Sequence, residues 1–272
     1  MKTTNRLSIV VFTMLMLFST TIFAQDEAPV EAKYYVVTTL HWNMDNDEFD
    51  MDEWKAVEGE LFEKVTSKNE HIIQASYFSH HTSPDNSELL YIQSFPSWEA
   101  IHKAGDRDGE LIEEAWKDEE ARKAFFDKQG VYYSRQHSDE IYAVTKGTKY
   151  FSEPPTEGML LYIRRNHAAF PEDGSAKEFV ELRDEKIEMI NKNEHIKGYF
   201  PSAHYYGADS SERIDAFFVD SMEGLDKMYE RNAELYKEAY PDEAVRKERG
   251  KKAGKYISGH GDSIYTFILG SN

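Results

Sequence analysis

The sequence predicts an α+β protein made of two consecutive βαββαβ units whose antiparallel sheets pack face to face. Three observations predict it. Asn69-Glu70-His71-Ile72 returns as Asn193-Glu194-His195-Ile196, an offset of 124. That offset makes 24 of the 66 positions from 69 to 134 identical without a gap, the mark of an internal repeat. In each half, strand-like and helix-like patterns then follow in the same order.

Tyr34 to Trp42, rich in Tyr, Val and Thr, reads as the first strand. Trp54, Val57, Leu61 and Val65 recur at helical spacing in a helix from Asp52 to Ser67, with Asp52 as its expected N-cap. Ile72 to His80 and Leu89 to Phe95 read as a hairpin around the turn residues Ser83-Pro84-Asp85-Asn86-Ser87. A second helix enters through Ser97, and a further helical stretch runs from Asp118 to Tyr133. Ile141 to Thr145 is the last strand. In the second half, Leu160 to Arg164 is a strand, and Phe179, Leu182, Met189 and Ile190 mark a helix. Ile196 to Tyr205 and Ile214 to Val219 form the hairpin, Ser221 opens the second helix, and Ile264 to Leu269 closes the sheet. The units are expected at 33–146 and 158–270, joined by a linker at 147–157 that contains Pro154-Pro155.

A βαββαβ unit is the ferredoxin-like split βαβ. Its helices cover one face of the sheet and leave the other apolar, so two units on one chain can cover each other. By this order and duplication the chain resembles the dimeric α/β-barrel superfamily in tandem form, over residues 33–269. The superfamily holds monooxygenases, haem-handling enzymes, isomerases and proteins without known activity. The resemblance therefore implies an intramolecular barrel and a pocket, and no particular reaction.

Residues 1–24 read as a signal peptide. Lys2 and Arg6 precede the apolar run Leu7 to Phe23, and Ala24 precedes an acidic stretch. The expectation is an exported protein, periplasmic or extracellular, with no membrane segment in its mature form. There is no cysteine, which excludes disulfides, thiolate metal sites and cysteine nucleophiles. The net charge is −18, and loss of Lys2 and Arg6 deepens it to −20. Such a surface repels phosphate backbones and anionic lipids, so nucleic-acid and membrane-surface roles are excluded.

Eight of the ten histidines form four repeat-related pairs: His41/His167, His71/His195, His80/His204 and His137/His260. In a split βαβ sheet, strands one and two are parallel and strand four is antiparallel to strand one. His41, His80 and His137 should therefore share one rim, and His167, His204 and His260 the equivalent rim of the other half. His71 and His195 belong to turns at the opposite edge. Convergence of this kind suits acid–base or ligand-binding work. His80, His204, His137 and His260 are the candidate acid–base groups. His41, His167, Tyr77, Phe78, Tyr205 and Tyr206 are the candidate ligand contacts. The same rims could take a metal or a haem through histidine, and the sequence leaves cofactor, metal and oligomeric state open. Arg107/Glu110 and Arg231/Glu234 read as solvated i, i+3 ion pairs. Asp45 to Asp50 has the alternating acids of a calcium loop without its turn glycine. The primary expectation is a small, largely apolar ligand held at the histidine rims. The alternatives are a metal- or haem-dependent, monooxygenase-like enzyme and a non-catalytic acidic interaction module.

Overall fold

Alternation along the strands decides what each side chain faces. The computed structural model describes residues 30–270; the expected signal peptide lies outside them. The first half runs β1 (Tyr34–Trp42), α1 (Met51–Lys64), β2 (Gln74–Thr82), β3 (Glu88–Phe95), α2 (Trp98–Ala115), α3 (Glu119–Gly130) and β4 (Tyr133–Val144). The second runs β5 (Leu160–Ala168), α4 (Ala176–Ile190), β6 (Gly198–Tyr206), β7 (Glu212–Val219), α5 (Met222–Ala239), α6 (Glu243–Gly254) and β8 (Ile257–Gly270). No helix among the described residues is long and apolar enough to cross a membrane.

The eight strands close into one antiparallel barrel, in the order β1-β3-β2-β8-β5-β7-β6-β4. Within it the run β4-β1-β3-β2 recurs as β8-β5-β7-β6. The sheets therefore do more than face each other. They join along their edges, β2 to β8 and β4 to β6, which leaves no unpaired edge strand. The halves also exchange side chains across these seams. The Tyr142 hydroxyl donates to Glu212 at 2.6 Å, and its counterpart Tyr265 donates to Glu88 at 2.9 Å.

One alternating set fills the interior: Val37, Phe78, Leu90, Ile163, Phe218 and Phe267 are among its apolar members. The other set meets the helices. Trp54, Val57, Phe62, Tyr77, Leu89, Trp116 and Phe125 form the layer of the first half. Leu160, Tyr162, Ile187, Tyr199, Phe217 and Met228 form that of the second.

Three local expectations change. The N-cap of α1 is Asp50, whose carboxylate accepts from the amides of Asp52 and Glu53. Its φ of −128° and ψ of 122° are the extended geometry a cap requires, whereas Asp52 is already helical. The expected caps Ser97 and Ser221 are the caps found. β4 starts at Tyr133 and β8 at Ile257, so His137 and His260 lie inside strands rather than before them. These extensions are mostly exposed at the barrel end, so neither face carries the apolar alternation that marks a strand.

Candidate functional site

Much of what the repeat keeps is joinery. Asn69 caps the turn after α1 by accepting from the His71 amide, and its Nδ2 donates to the Ala104 carbonyl. Asn193 does the same with His195 and Met228. Arg107 reaches Glu70 and Glu110; Arg231 reaches Glu194 and Glu234. His71 and His195 are turn residues beside these joints.

What the repeat changes is the outer face of the sheet. Leu40 pairs with Leu89 in the first half, and the corresponding register in the second pairs Asn166 with Arg213. By the offset of 124, Tyr91 becomes Asp215 and Phe125 becomes Arg249. In the first half this face is sealed: Tyr77 stacks on Phe62 and Tyr91, and Trp116 on Phe125, with centroids 4.2 to 5.6 Å apart. α3 buries Phe125 there, but α6 buries no residue. Arg249 instead lies 4.2 Å over the ring of Tyr240 and pairs with Glu185.

The second half therefore leaves space between sheet and helices. A pocket of about 330 Å³ lies against Tyr162, Met189, Phe217, Met228 and Tyr229. A smaller one of about 80 Å³ lies against Phe179, Arg183, Arg213, Asp215 and Tyr256. Asn166, Lys186 and Ile257 are common to both walls, so the two spaces adjoin. Arg164, Arg183, Lys186 and Arg213 line them, against one carboxylate, Asp215.

That carboxylate is spoken for. It accepts from Lys186 Nζ at 2.8 Å, Tyr199 Oη at 2.6 Å and Asn166 Nδ2 at 3.1 Å. Burial pushes its pKa up, but Lys186, Tyr199 and Arg183 outweigh burial and hold it below the usual aspartate value. Arg213 spends its Nη1 on the carbonyls of Ser210 and Glu212, and Arg183 donates to Thr145 Oγ1. Burial, then the like charge of Arg183, depress the Arg213 pKa. Among the described residues, these two guanidinium groups thus share a half-enclosed space without a carboxylate of their own. Such a site suits an anionic or acceptor-rich headgroup, and its apolar walls suit a hydrocarbon body.

The histidines lie elsewhere. β1, β2, β5 and β6 run one way and their neighbours run back, so the two expected rims are a single end of the barrel. His80 and His137 share that end, as do His204 and His260. His41 and His167 each dock on a hairpin turn: His41 Nδ1 is 3.1 Å from Ser87 Oγ, and His167 Nδ1 is 2.9 Å from Asp209 Oδ2. His80 Nδ1 meets Ser83 Oγ at 2.9 Å. Its counterpart His204 has Gly207 in place of that serine, and its Nε2 is buried without a hydrogen-bond partner among the described residues. His137 pairs with Leu40, and His260 with Asn166, both on the outward set. Tyr77 also faces outward, onto Glu58 at 3.0 Å, and Tyr205 packs on Tyr34 and Trp98. Tyr206 is exposed. Of these ten residues, Phe78 borders a cavity, the one inside the barrel.

His167, Asp209 and Glu212 bring possible ligand atoms within 4.8 Å of one another. Each already serves the fold, since Asp209 holds the turn through Ser211 and Glu212 accepts from Tyr142. No histidine lines any of the three cavities, so the residues present do not fit a histidine-held haem there.

These features define an eight-stranded α/β barrel with a cationic pocket under the helices of its second half. Solved structures share the fold. A candidate monooxygenase from Fusobacterium nucleatum subsp. nucleatum superposes with a TM-score of 0.58 at 11% identity, over 89% of this chain and 94% of that one. A candidate monooxygenase from Lactobacillus acidophilus gives 0.56 at 8%, over 89% and 97%. A chlorite dismutase variant from Candidatus Nitrospira defluvii gives 0.52 at 11%, over 88% and 93%. At these identities the likeness is one of fold. No protein-family model and no curated protein matches the chain.

Proposed function

We propose that this chain, a tandem duplication of one βαββαβ unit exported by way of residues 1–24, binds a small amphipathic organic anion between its second sheet and helices α4, α5 and α6. The observation that carries the reading is the surplus of cations in the paired pockets of a chain whose net charge is −18. Arg183 and Arg213 would meet the headgroup, while Met189, Phe217, Met228 and Tyr229 would meet the apolar body. This moves the expected ligand from the histidine rim to the helix–sheet face. It keeps the expected ligand class, small and largely apolar. Calorimetric titration with octanoate and with octanol tests it. Octanoate should bind and octanol should bind at least tenfold more weakly, because a charge-assisted hydrogen bond is worth about 1.5–3 kcal/mol. Equal affinities would remove the anion from the reading.

A second reading adds oxidation of the bound molecule. It is favoured by the designation of two fold neighbours as candidate monooxygenases. Oxygen uptake that depends on octanoate and disappears in Arg183→Gln/Arg213→Gln would support it. Uptake that survives in that variant would place any such chemistry elsewhere.

A further inference from the structure

The barrel interior holds a separate cavity of about 100 Å³. It is of the same order as the roughly 150 Å³ apolar cavity that admits a benzene ring. Its walls are the inward residues of the strands, chiefly Val37, Phe78, Ile163, Ile214 and Phe218. The linker contributes Phe151 and Pro155, and Phe151 packs edge-on against Phe218 at 4.7 Å.

Two polar groups in this wall stand out. The Tyr35 hydroxyl is buried and, among the described residues, has no hydrogen-bond partner. Burial, then Tyr150, push its pKa up, so it stays protonated and can donate. Arg165 occupies the inward position that Thr39 holds in the first half, since β1 pairs Thr39 with Leu90 and β5 pairs Arg165 with Ile214. Among the described residues, Arg165 has no carboxylate within ion-pair distance; it shares a hydrogen bond with the Tyr265 hydroxyl, and Tyr142 and Glu212 act on it from around the barrel. Burying a guanidinium without a carboxylate and a hydroxyl without a partner in one largely apolar space is costly unless an acceptor arrives. Both groups donate, so the missing partner accepts.

We infer that the barrel interior is a second ligand site, for a compact acid of about one ring, its oxygens held by Arg165 and the Tyr35 hydroxyl. The site is independent of the pocket under α4, α5 and α6, because no residue lines both.

The test uses benzoate as the probe and benzyl alcohol as its neutral analogue, with affinity from calorimetry and the Ile163 and Ile214 methyl signals as local reporters. Benzoate should bind, shift both methyls and exceed benzyl alcohol at least tenfold. Arg165→Met should lose at least tenfold in affinity, Tyr35→Phe about fivefold, and Arg165→Lys less than Arg165→Met. Arg183→Gln/Arg213→Gln should leave benzoate affinity and the methyl shifts unchanged. Should Arg165→Met not fold, Tyr35→Phe and Arg165→Lys carry the comparison. Unchanged affinity in Tyr35→Phe and Arg165→Met overturns the inference, as does loss of binding in the Arg183/Arg213 variant. No shift at either methyl would mean a cavity that holds water only.

Discussion

Each half of the barrel buries a carboxylate under its helices, and the two are held in opposite ways. Glu58 in the first half is wholly buried and accepts from Tyr77, Tyr133 and Gln129, all neutral donors, at 2.6 to 3.0 Å. Burial wins and raises its pKa. Asp215 in the second half has Lys186 and Arg183 as well as Tyr199, and its pKa is lowered. The difference follows from the surroundings. Trp54 and the stacked rings of the first half leave no room for solvated cations, whereas Asn166, Arg213 and the open pocket of the second half admit them. One half is packed shut and the other holds a cavity.

The largest effect should come from opening the sealed half. Trp54 has no exposure and donates to Tyr133 at 2.9 Å, so Trp54→Ala should cost about 3–5 kcal/mol in denaturant unfolding. A loss below 1 kcal/mol would mean that the first half is not the packed one. In the open half, Lys186→Met leaves Asp215 buried without its ammonium. It should cost about 2–3 kcal/mol, less than for a wholly buried pair because Lys186 is half in solvent.

Arg183→Gln/Arg213→Gln should weaken octanoate binding at least tenfold, about 1.4 kcal/mol, with little change in melting temperature. Neither arginine neutralises a buried carboxylate by direct contact, so a large drop in melting temperature would mark them as structural.

The smallest effect is a difference in pH response. The raised pKa of Glu58 gives stability that is full below the unfolded carboxylate value of about 4 and is lost as pH rises through the folded value. Wild type should therefore lose stability relative to Glu58→Gln on going from pH 4 to pH 7. The lowered pKa of Asp215 works the other way. Its contribution is present above the unfolded value and is lost as pH falls through the folded one, so Asp215→Asn should be less sensitive to acid than wild type. Parallel pH profiles for the two variants would contradict the comparison.

The repeat made the element order readable, and with it the strand directions that bring His41, His80 and His137 to one end. Turn and cap residues such as Asn69, Ser97 and Ser221 announce themselves because their local hydrogen bonds depend on a few neighbouring residues. The site was less legible, because repeat identity here, shared histidines included, tracks turns and joints. His41 and His167 repeat because both halves need the same hairpin turn held. The usable signal was substitution between the halves: Leu89 to Arg213, Tyr91 to Asp215, Phe125 to Arg249. Each places charge where the first half has an apolar residue. The inward role of Arg165 was hidden because the expected strand ended at Arg164, one residue short.

The central claim is where a ligand sits, and methionine methyl signals report it directly. Met189 and Met228 line the larger pocket of the second half, whereas Met159 belongs to the barrel core. Octanoate added to protein carrying labelled methionine methyls should shift Met189 and Met228 in proportion to occupancy and leave Met159 in place. A shift at Met159 with Met189 and Met228 unmoved would contradict the account.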